Sequence, residues 1–317
     1  MRVIVTGGAG YIGGQTVLKL LDDGHSVLGI DRLVPPAHLL DCGAKWHTGD
    51  FADSTGLDCI QSFKPDAIVH CAGTSLVGPS ILNPEEYYNN NFVKTKSLLD
   101  YIVQHQLTDI RFIFSSSAAT YGNPVMTPVQ EIDLTEPISP YGQSKLMIDW
   151  MLKSYRHAYN LNFVSFRYFN ACGADSLARH GQPFGATHII ARVLESVKNQ
   201  KDFTLYGDSY PTDDGTCVRD YIHVEDLADA HIVAMNKQIP SDIYNLGTNT
   251  GHSNLEVIRT VAQITGIDIS VLHGPQREGD PAVLTADANK FMSVSNWKPQ
   301  FTMTDIINHV WKWYNKQ

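Results

Sequence analysis

Paired cysteines are missing from this sequence. Its five, Cys42, Cys59, Cys71, Cys172 and Cys217, stand singly, with no Cys-x-x-Cys and no Cys/His spacing that would suit a metal. An odd, unpatterned set argues against a disulfide framework and for a reducing compartment, so a cytoplasmic location and no metal are expected. Basic clusters are missing too. The 24 Lys and Arg are outnumbered by 33 Asp and Glu, for a net charge of −9, with no long run of either sign. That excludes the concentrated basic face of a nucleic-acid binder. An anionic ligand would have to be held by a few placed arginines and helix N-termini against the overall field. No uninterrupted apolar stretch approaches the ~20 residues of a membrane span. Residues 2–6 already read as a strand, so no cleavable leader is expected. Neither internal repeats nor low-complexity tracts are visible.

What the sequence does have is alternation. The chain has 317 residues, 43% hydrophobic and 18% charged, which suits one large domain, or a large one with a smaller partner. In the first half, β-branched runs at 3–6, 26–30, 67–70, 111–115 and 163–167 are separated by helical patterns at 12–21, 85–105 and 141–159. Pro84 and Pro140 sit where a first helical turn begins, with Ser139 placed as an N-cap. Strands alternating with helices imply right-handed crossovers and a parallel, doubly wound sheet. The run 66–70 lacks alternation, as a strand covered on both faces should. After about Asn170 the texture changes. A small, Gly-rich loop spans 171–186, followed by a helix pattern at 187–199 and a strand at 203–206. A second loop at 207–216 precedes a helix at 224–235, a strand at 243–246 and helices near 255–265, 286–297 and 303–314. The expected division is a dinucleotide-binding domain at 1–169, to which chain near 217–247 returns, and a smaller mixed α/β substrate domain from 170–216 and 248–317.

Residues 2–13 (RVIVTGGAGYIG) place Gly7, Gly10 and Gly13 between a strand and a helix. A sharp turn whose backbone must approach a pyrophosphate has no room for side chains at Gly7 or Gly10. Gly13 lets the helix lie close to the sheet, and the helix start offers free N–H groups to the diphosphate. Glycine spacing alone is weak evidence; strand before and helix after is the context the motif requires. Asp31 ends the second strand about 20 residues on, where a carboxylate accepts the adenosine ribose hydroxyls and repels a 2′-phosphate, selecting NAD over NADP. Arg32 borders the same ribose. An arginine there can accept a 2′-phosphate, though its plainer reading is a solvated loop residue.

Ser139 to Lys145 opens a helix on which Tyr141 and Lys145, four apart, share a face. A free tyrosine, with pKa ~10, is a poor base at neutral pH; a nearby ammonium and a positive nicotinamide ring would both favour the phenolate. A lone Tyr-x-x-x-Lys reads equally as an exposed helix pair. Ser115, Ser116 and Ser117 raise its weight, because they end a parallel strand, where such folds form their ligand crevice. From there a hydroxyl can bridge Tyr141 and a sugar hydroxyl.

With these residues in place, the sequence resembles the extended short-chain dehydrogenase/reductase family, and within it the UDP-hexose 4-epimerases, over nearly its whole length. The stretches that carry the resemblance are TGGAGYIG (6–13), SSSAATYG (115–122), SPYGQSKLMID (139–149), RYFNACGA (167–174), YPTDDGTCVRDYIHVEDLADAH (210–231), YNLGT (244–248) and REGDPA (277–282). The 210–231 block and REGD are far more diagnostic than the glycine loop. The resemblance implies a Rossmann-type fold and NAD-dependent epimerisation at C4 of UDP-glucose or UDP-galactose through a 4-keto sugar. Tyr141 would be the acid/base, Lys145 would tune it and orient NAD, and Ser117 would position the sugar hydroxyl. It further implies a cofactor set of Gly7, Gly10, Tyr11, Ile12, Gly13, Asp31, Arg32, Asp50, Phe51, Cys71, Ala72, Gly73, Asn90, Ser115, Tyr141, Lys145 and Phe169. The UDP-sugar set would be Ser117, Tyr141, Asn170, Arg219, Arg277, Asp280 and Leu284, where guanidinium forks suit a diphosphate. A homodimer through the 85–105 and 141–159 helices is implied as well.

The chain departs from the family pattern in places. Ser75 stands where a lysine often lies near the cofactor, Lys94-Thr95 replaces the usual Gly-Thr, and the loop before Thr187 is short. Leu284 takes a gate position that is a bulky tyrosine in members restricted to non-acetylated sugars, so it leaves room for an N-acetyl group at C2. A 4,6-dehydratase would need Asp-Glu where this chain has Ala118 and Ala119. A UDP-glucuronate 4-epimerase or decarboxylase would need an extra contact for the C6 carboxylate, and no clear one is seen. A free-NADPH reductase is disfavoured by Asp31. A catalytically silent NAD-binding scaffold should lack Tyr141, Lys145 or Ser117, and all three are present.

Overall fold

The structure, a computed structural model, describes residues 1–276 and 280–317. Thirteen strands are found among them: β1 Arg2–Thr6, β2 Ser26–Asp31, β3 Lys45–Thr48, β4 Ala67–His70, β5 Arg111–Ser117, β6 Phe163–Tyr168, β7 Asn170–Cys172, β8 Phe203–Tyr206, β9 Val218–His223, β10 Ile243–Leu246, β11 Gly251–Ser253, β12 Val271–Gly274 and β13 Val283–Leu284. Seven form one sheet in the order β10-β6-β5-β4-β1-β2-β3, every pair parallel. Strand order reverses between β1 and β4, and open α/β sheets bind ligands outside the strand ends at such a point.

The parallel sheet has covered faces for the reason parallel sheets usually do: each crossover lays a helix across it. All four residues of β4 are buried, in keeping with its unalternating sequence. On one face Val3, Val5, Val69 and Phe166 pack with Val17 and Leu20 from the helix Tyr11–Asp22 and with Leu227 and Ala230 from Val224–Ala234. On the other, Ile4, Ile68, Phe112 and Phe114 pack with Leu98 and Ile102 from Lys94–Gln104 and with Ile148 and Leu152 from Pro140–Tyr159. Ser139 caps that last helix through a Gly142 N–H bond of 3.2 Å, with Pro140 in its first turn and Asn160 in the left-handed region ending it. These are the start and stop signals that the sequence carries.

The second lobe is built around β9. Its first half pairs with β11 (antiparallel) and β13 (parallel), and its second half with β7. A two-stranded pair, β8 with β12, stands apart. The apolar faces of Ile189–Lys198, Asn254–Thr265 and Met303–Lys316 make the core of this lobe through Leu194, Val257, Ile307 and Trp313. Of the stretch 217–247, β10 completes the large sheet and Val224–Ala234 covers it, while β9 belongs to the smaller sheet.

Several elements differ from the sequence reading. β3 and the helix Ser54–Phe63 carry too little periodicity to stand out, and β7, β11 and β13 are only two or three residues long. The helical stretch expected at 85–105 exists, but its register changes to a π-helical turn over Tyr88–Val93 between Pro84–Tyr87 and Lys94–Gln104. Such turns are rare and often mark functional sites.

Candidate active site

The glycine loop runs from β1 into the helix Tyr11–Asp22. Gly7 has φ +70°, and a Cβ there would lie 2.7 Å from the Ala72 nitrogen; a Cβ on Gly13 would lie 2.1 Å from the Gly7 carbonyl oxygen. Only glycine fits either position. Gly10 begins the helix, and among the described residues no side chain caps it, so its first N–H groups are open to an anion. Asp31 is fixed by two backbone donors, Ala9 N–H at 3.0 Å and Leu33 N–H at 3.0 Å.

These elements bound a cleft of about 440 Å³. It is lined by ten residues that the sequence assigned to the cofactor, namely Gly7, Gly10, Asp31, Arg32, Asp50, Phe51, Cys71, Ala72, Gly73 and Asn90. Four further residues line it, Ile30, Leu33, Gly49 and Lys94. Seven assigned residues stand outside that lining, Tyr141 and Lys145, described below, among them. Tyr11 turns its hydroxyl to the Gly173 carbonyl at 2.7 Å, Ile12 packs on the sheet, Gly13 lies under the loop, Ser115 is buried, and so is Phe169. Burial pushes the Cys71 thiol up to about 12, so it behaves as a small apolar wall.

Against the cleft wall at Gly73 lies Lys145, whose Nζ would be 3.6 Å from a Cβ on that glycine. Lys145 Nζ donates to the Ser115 carbonyl at 2.7 Å, and burial lowers its pKa to about 8. Tyr141, one turn back on the same helix, has the Ser117 side chain as a polar neighbour. Lys145 Nζ lies 5.8 Å from the Tyr141 ring centre and 4.9 Å from that of Phe114. Burial raises the Tyr141 phenol above its ordinary value, the Ser117 side chain draws it back, and the neighbouring Tyr87 adds to the rise. Desolvation is the dominant influence on the phenol in the folded chain.

The third group sits on the smaller sheet. Arg219 on β9 pairs with Asp280, Nη2 to Oδ1 at 2.7 Å, and donates to the Val218 carbonyl at 2.8 Å. Leu284 is the register partner of Arg219 and packs against Ala118, Tyr121 and Phe169. Ala118 follows Ser117, so Leu284 lies between the group of Ser117, Tyr141 and Lys145 and the arginine. Asn170, partly exposed, opens β7 opposite Tyr221. Arg277 lies outside the described residues.

Two buried partners escaped the sequence reading. Asp149 accepts from Ser116 (3.2 Å), Ser165 (2.5 Å) and Arg167 Nε (3.0 Å), and so bolts the Tyr141 helix to β5 and β6. The signal was present, since 141, 145 and 149 are four apart on one face. Asn91, in the π-helical turn, accepts from Thr74 N–H at 2.7 Å and donates to Ser144 Oγ at 3.0 Å. It ties the edge of the cleft to the same helix.

Comparison with known proteins agrees with this geometry. A family described as "NAD dependent epimerase/dehydratase family" matches residues 3–247. A UDP-glucose 4-epimerase of Halalkalibacterium halodurans is 41% identical, with 100% of this chain and 96% of that protein covered. A solved UDP-glucose 4-epimerase structure superposes with a TM-score of 0.95 at 39% identity, covering 100% of this chain and 98% of the other. The Bifidobacterium longum enzyme of that name, in complex with NAD+ and UDP, does so with a TM-score of 0.91 at 35% identity, covering 100% and 99%.

Proposed function

The chain belongs to the NAD-dependent epimerase/dehydratase family, and from that premise we propose that it inverts the configuration at C4 of a UDP-hexose, an isomerase reaction in which the cofactor ends each cycle as it began. The observation that carries this reading is the grouping of Ser117, Tyr141 and Lys145 next to the dinucleotide cleft, with Lys145 Nζ beside both the Tyr141 ring and Gly73 of the cleft wall.

The residues present fit NAD. The glycine cradle leaves a backbone surface that a Cβ would fill, the helix start offers N–H donors, and Asp31 presents a fixed carboxylate suited to ribose hydroxyls. When bound, NAD supplies the acceptor and donor of the C4 hydride. The chain's own work concerns the proton at O4. Ser117 holds the hydroxyl beside Tyr141, and Tyr141 takes the proton as C4 becomes a ketone. Lys145, close to neutrality in its pKa, stabilises the phenolate and orients the ribose. The Arg219 guanidinium, with Asp280 and Asn170, holds the UDP, so the keto sugar can turn about its link to the diphosphate before Tyr141 returns the proton. In this reading 1–169 carries NAD, joined by chain near 217–247, and 170–216 with 248–317 carries the UDP-sugar.

The expected result is interconversion of UDP-galactose and UDP-glucose, and Tyr141→Phe should lose about 10²–10⁴-fold in kcat while still copurifying with NAD. Wild-type protein that converts neither UDP-galactose nor UDP-N-acetylgalactosamine, assayed side by side, would sink the reading. Leu284 favours a site that also takes the acetylated sugar, because it is short and its neighbours Ala118 and Ala286 are small.

Two coarser features belong to the same reading. None of the described helices is long and apolar enough to cross a membrane, and the five free thiols support a cytoplasmic location. The helices Pro84–Gln104 and Pro140–Tyr159 expose Val93 (48%) and Trp150 (57%), which supports a homodimer through that face. Light scattering should give twice the chain mass, and Trp150→Glu should halve it.

A further inference from the structure

Of the four cleft residues that the family pattern does not supply, three contribute only backbone or apolar surface. Lys94 brings a cation. Its Nζ lies 2.6 Å from Asp50 Oδ2 and 2.9 Å from Asn90 Oδ1, while Asp50 Oδ1 accepts the Ala52 N–H at 3.1 Å. Asp50 and Lys94 come from opposite walls of the cleft. Asp50 follows β3, one strand beyond the Asp31 that ends β2, so it stands past the ribose position, at the base end of a dinucleotide. Lys94 opens its helix directly after the π-helical turn that follows β4, four residues beyond Asn90.

The pair faces the cleft. Lys94 and Asp50 keep 24% and 21% side-chain exposure and both line it. An ion pair so exposed contributes little to folding stability. Its three polar groups are nonetheless held in one place, and their chemistry is complementary to a purine. An ammonium has three donors; Asp50 and Asn90 take two, leaving one for a ring nitrogen. The Asp50 carboxylate has further lone pairs for an exocyclic amine.

We propose that Lys94 is a cofactor-specificity residue of this chain: with Asp50 and Asn90 it forms a polar clasp on the adenine of bound NAD and sets how firmly the dinucleotide is held. The proposal rests on the NAD reading above and adds to it a residue that stands where the family pattern has glycine. Its chemistry also reaches beyond adenine. Hypoxanthine, with a carbonyl in place of the 6-amino group, meets a donor in Lys94, whereas Asp50 alone would repel that oxygen. The clasp therefore tolerates either base, and removal of the cation makes the site selective for adenine.

The test uses the purified holoprotein, wild type against Lys94→Met, which keeps the apolar stem, and Lys94→Arg, which keeps the charge. Each is incubated with a large excess of nicotinamide hypoxanthine dinucleotide, desalted at intervals, and its bound nucleotides are released and quantified by chromatography. A second incubation uses equal NAD and hypoxanthine dinucleotide and reads the ratio bound. Lys94→Met is expected to lose NAD about tenfold faster and to shift the bound ratio towards NAD, with Lys94→Arg close to wild type in both. Unchanged release and an unchanged ratio in Lys94→Met overturn the proposal and leave the epimerase reading standing. Wild-type protein that carries and binds neither nucleotide overturns both. A loss of NAD by Lys94→Met with no change in ratio, matched by a fall in thermal stability of the nucleotide-free chain, assigns Lys94 to folding and also overturns it.

Discussion

At Tyr141 two neighbours and a low-dielectric surrounding compete over one proton. Burial favours the neutral phenol, the Ser117 hydroxyl favours the charged one, and Lys145, itself lowered to about 8, is the group whose charge can follow. A base that must give its proton back within the same cycle needs such a balance rather than a strongly depressed pKa. In the proposed reading Leu284 sets a different quantity, the space beside the sugar. Packed against the cluster that holds Ala118 and Phe169 and paired in register with Arg219, it stands between the residues proposed for the chemistry and the arginine proposed for the UDP. Leu284→Tyr should cut kcat/KM for UDP-N-acetylgalactosamine by about tenfold or more, with UDP-galactose much less affected. Equal losses for the two sugars would show that Leu284 does not gate C2. That Tyr141, Lys145 and Ser117 come together was legible in the sequence, because a parallel-strand end and the start of the following helix meet at one crevice. Lys94 and Asp149 were not. A charged residue in a helical pattern reads by default as solvated, and only the packing shows which one faces inward.

At the scale of elements, the helix Pro140–Tyr159 must be held in register to within a fraction of an ångström if Tyr141 is to meet Ser117. The buried Asp149–Arg167 pair does this work, at 0% and 4% side-chain exposure and 3.0 Å. Arg167 also lies over the Tyr121 ring at 4.7 Å. Removing one member leaves the other charge buried and unpaired, whereas replacing both with apolar groups need not cost stability. Asp149→Asn should therefore lower the unfolding free energy by about 3–5 kcal/mol, and the double variant Asp149→Leu with Arg167→Met should recover most of it, as read by urea titration. Additive losses in the double variant would refute the pairing argument. Most of the elements that carry this site could be read from strand–helix alternation and from Ser139 and Pro140. The π-helical turn at Tyr88–Val93 could not. Three consecutive asparagines weaken a helix without specifying a register, and only the packing shows Asn90 and Asn91 bonding to Thr74. The short strands of the second lobe were equally illegible, since two or three residues cannot show a period of two.

At the scale of the whole molecule, the pattern of buried histidines governs stability against acid. Burial holds His70, His223 and His231 down to about 3 and His180 to about 4, against an ordinary 6.5. They are neutral in the folded chain, with hydroxyl, backbone or imidazole partners: His70 bridges Thr6 and Thr95 at 2.7 and 2.8 Å, and His223 meets His309 at 3.0 Å. Because their folded values are depressed, the unfolded chain takes up more protons as pH falls below about 6.5, and stability present above that pH drains away on the way down. Asp226, raised by burial to about 7, works in the opposite direction and offsets part of the loss. The net expectation is a fall of roughly 2–5 kcal/mol in unfolding free energy between pH 7 and pH 5. A flat urea midpoint over that range would contradict it.

The path of the chain between its two sheets has a consequence for traffic. Only Phe169 separates β6 from β7, and after β9 the backbone runs back through Val224–Ala234 to β10 before crossing once more to β11. Three crossings tie the two sheets more tightly than one would, because all of them must bend about a shared axis for the sheets to part. Under the proposed reaction the dinucleotide ends every round unchanged, so only the nucleotide-sugar has to cross that threshold.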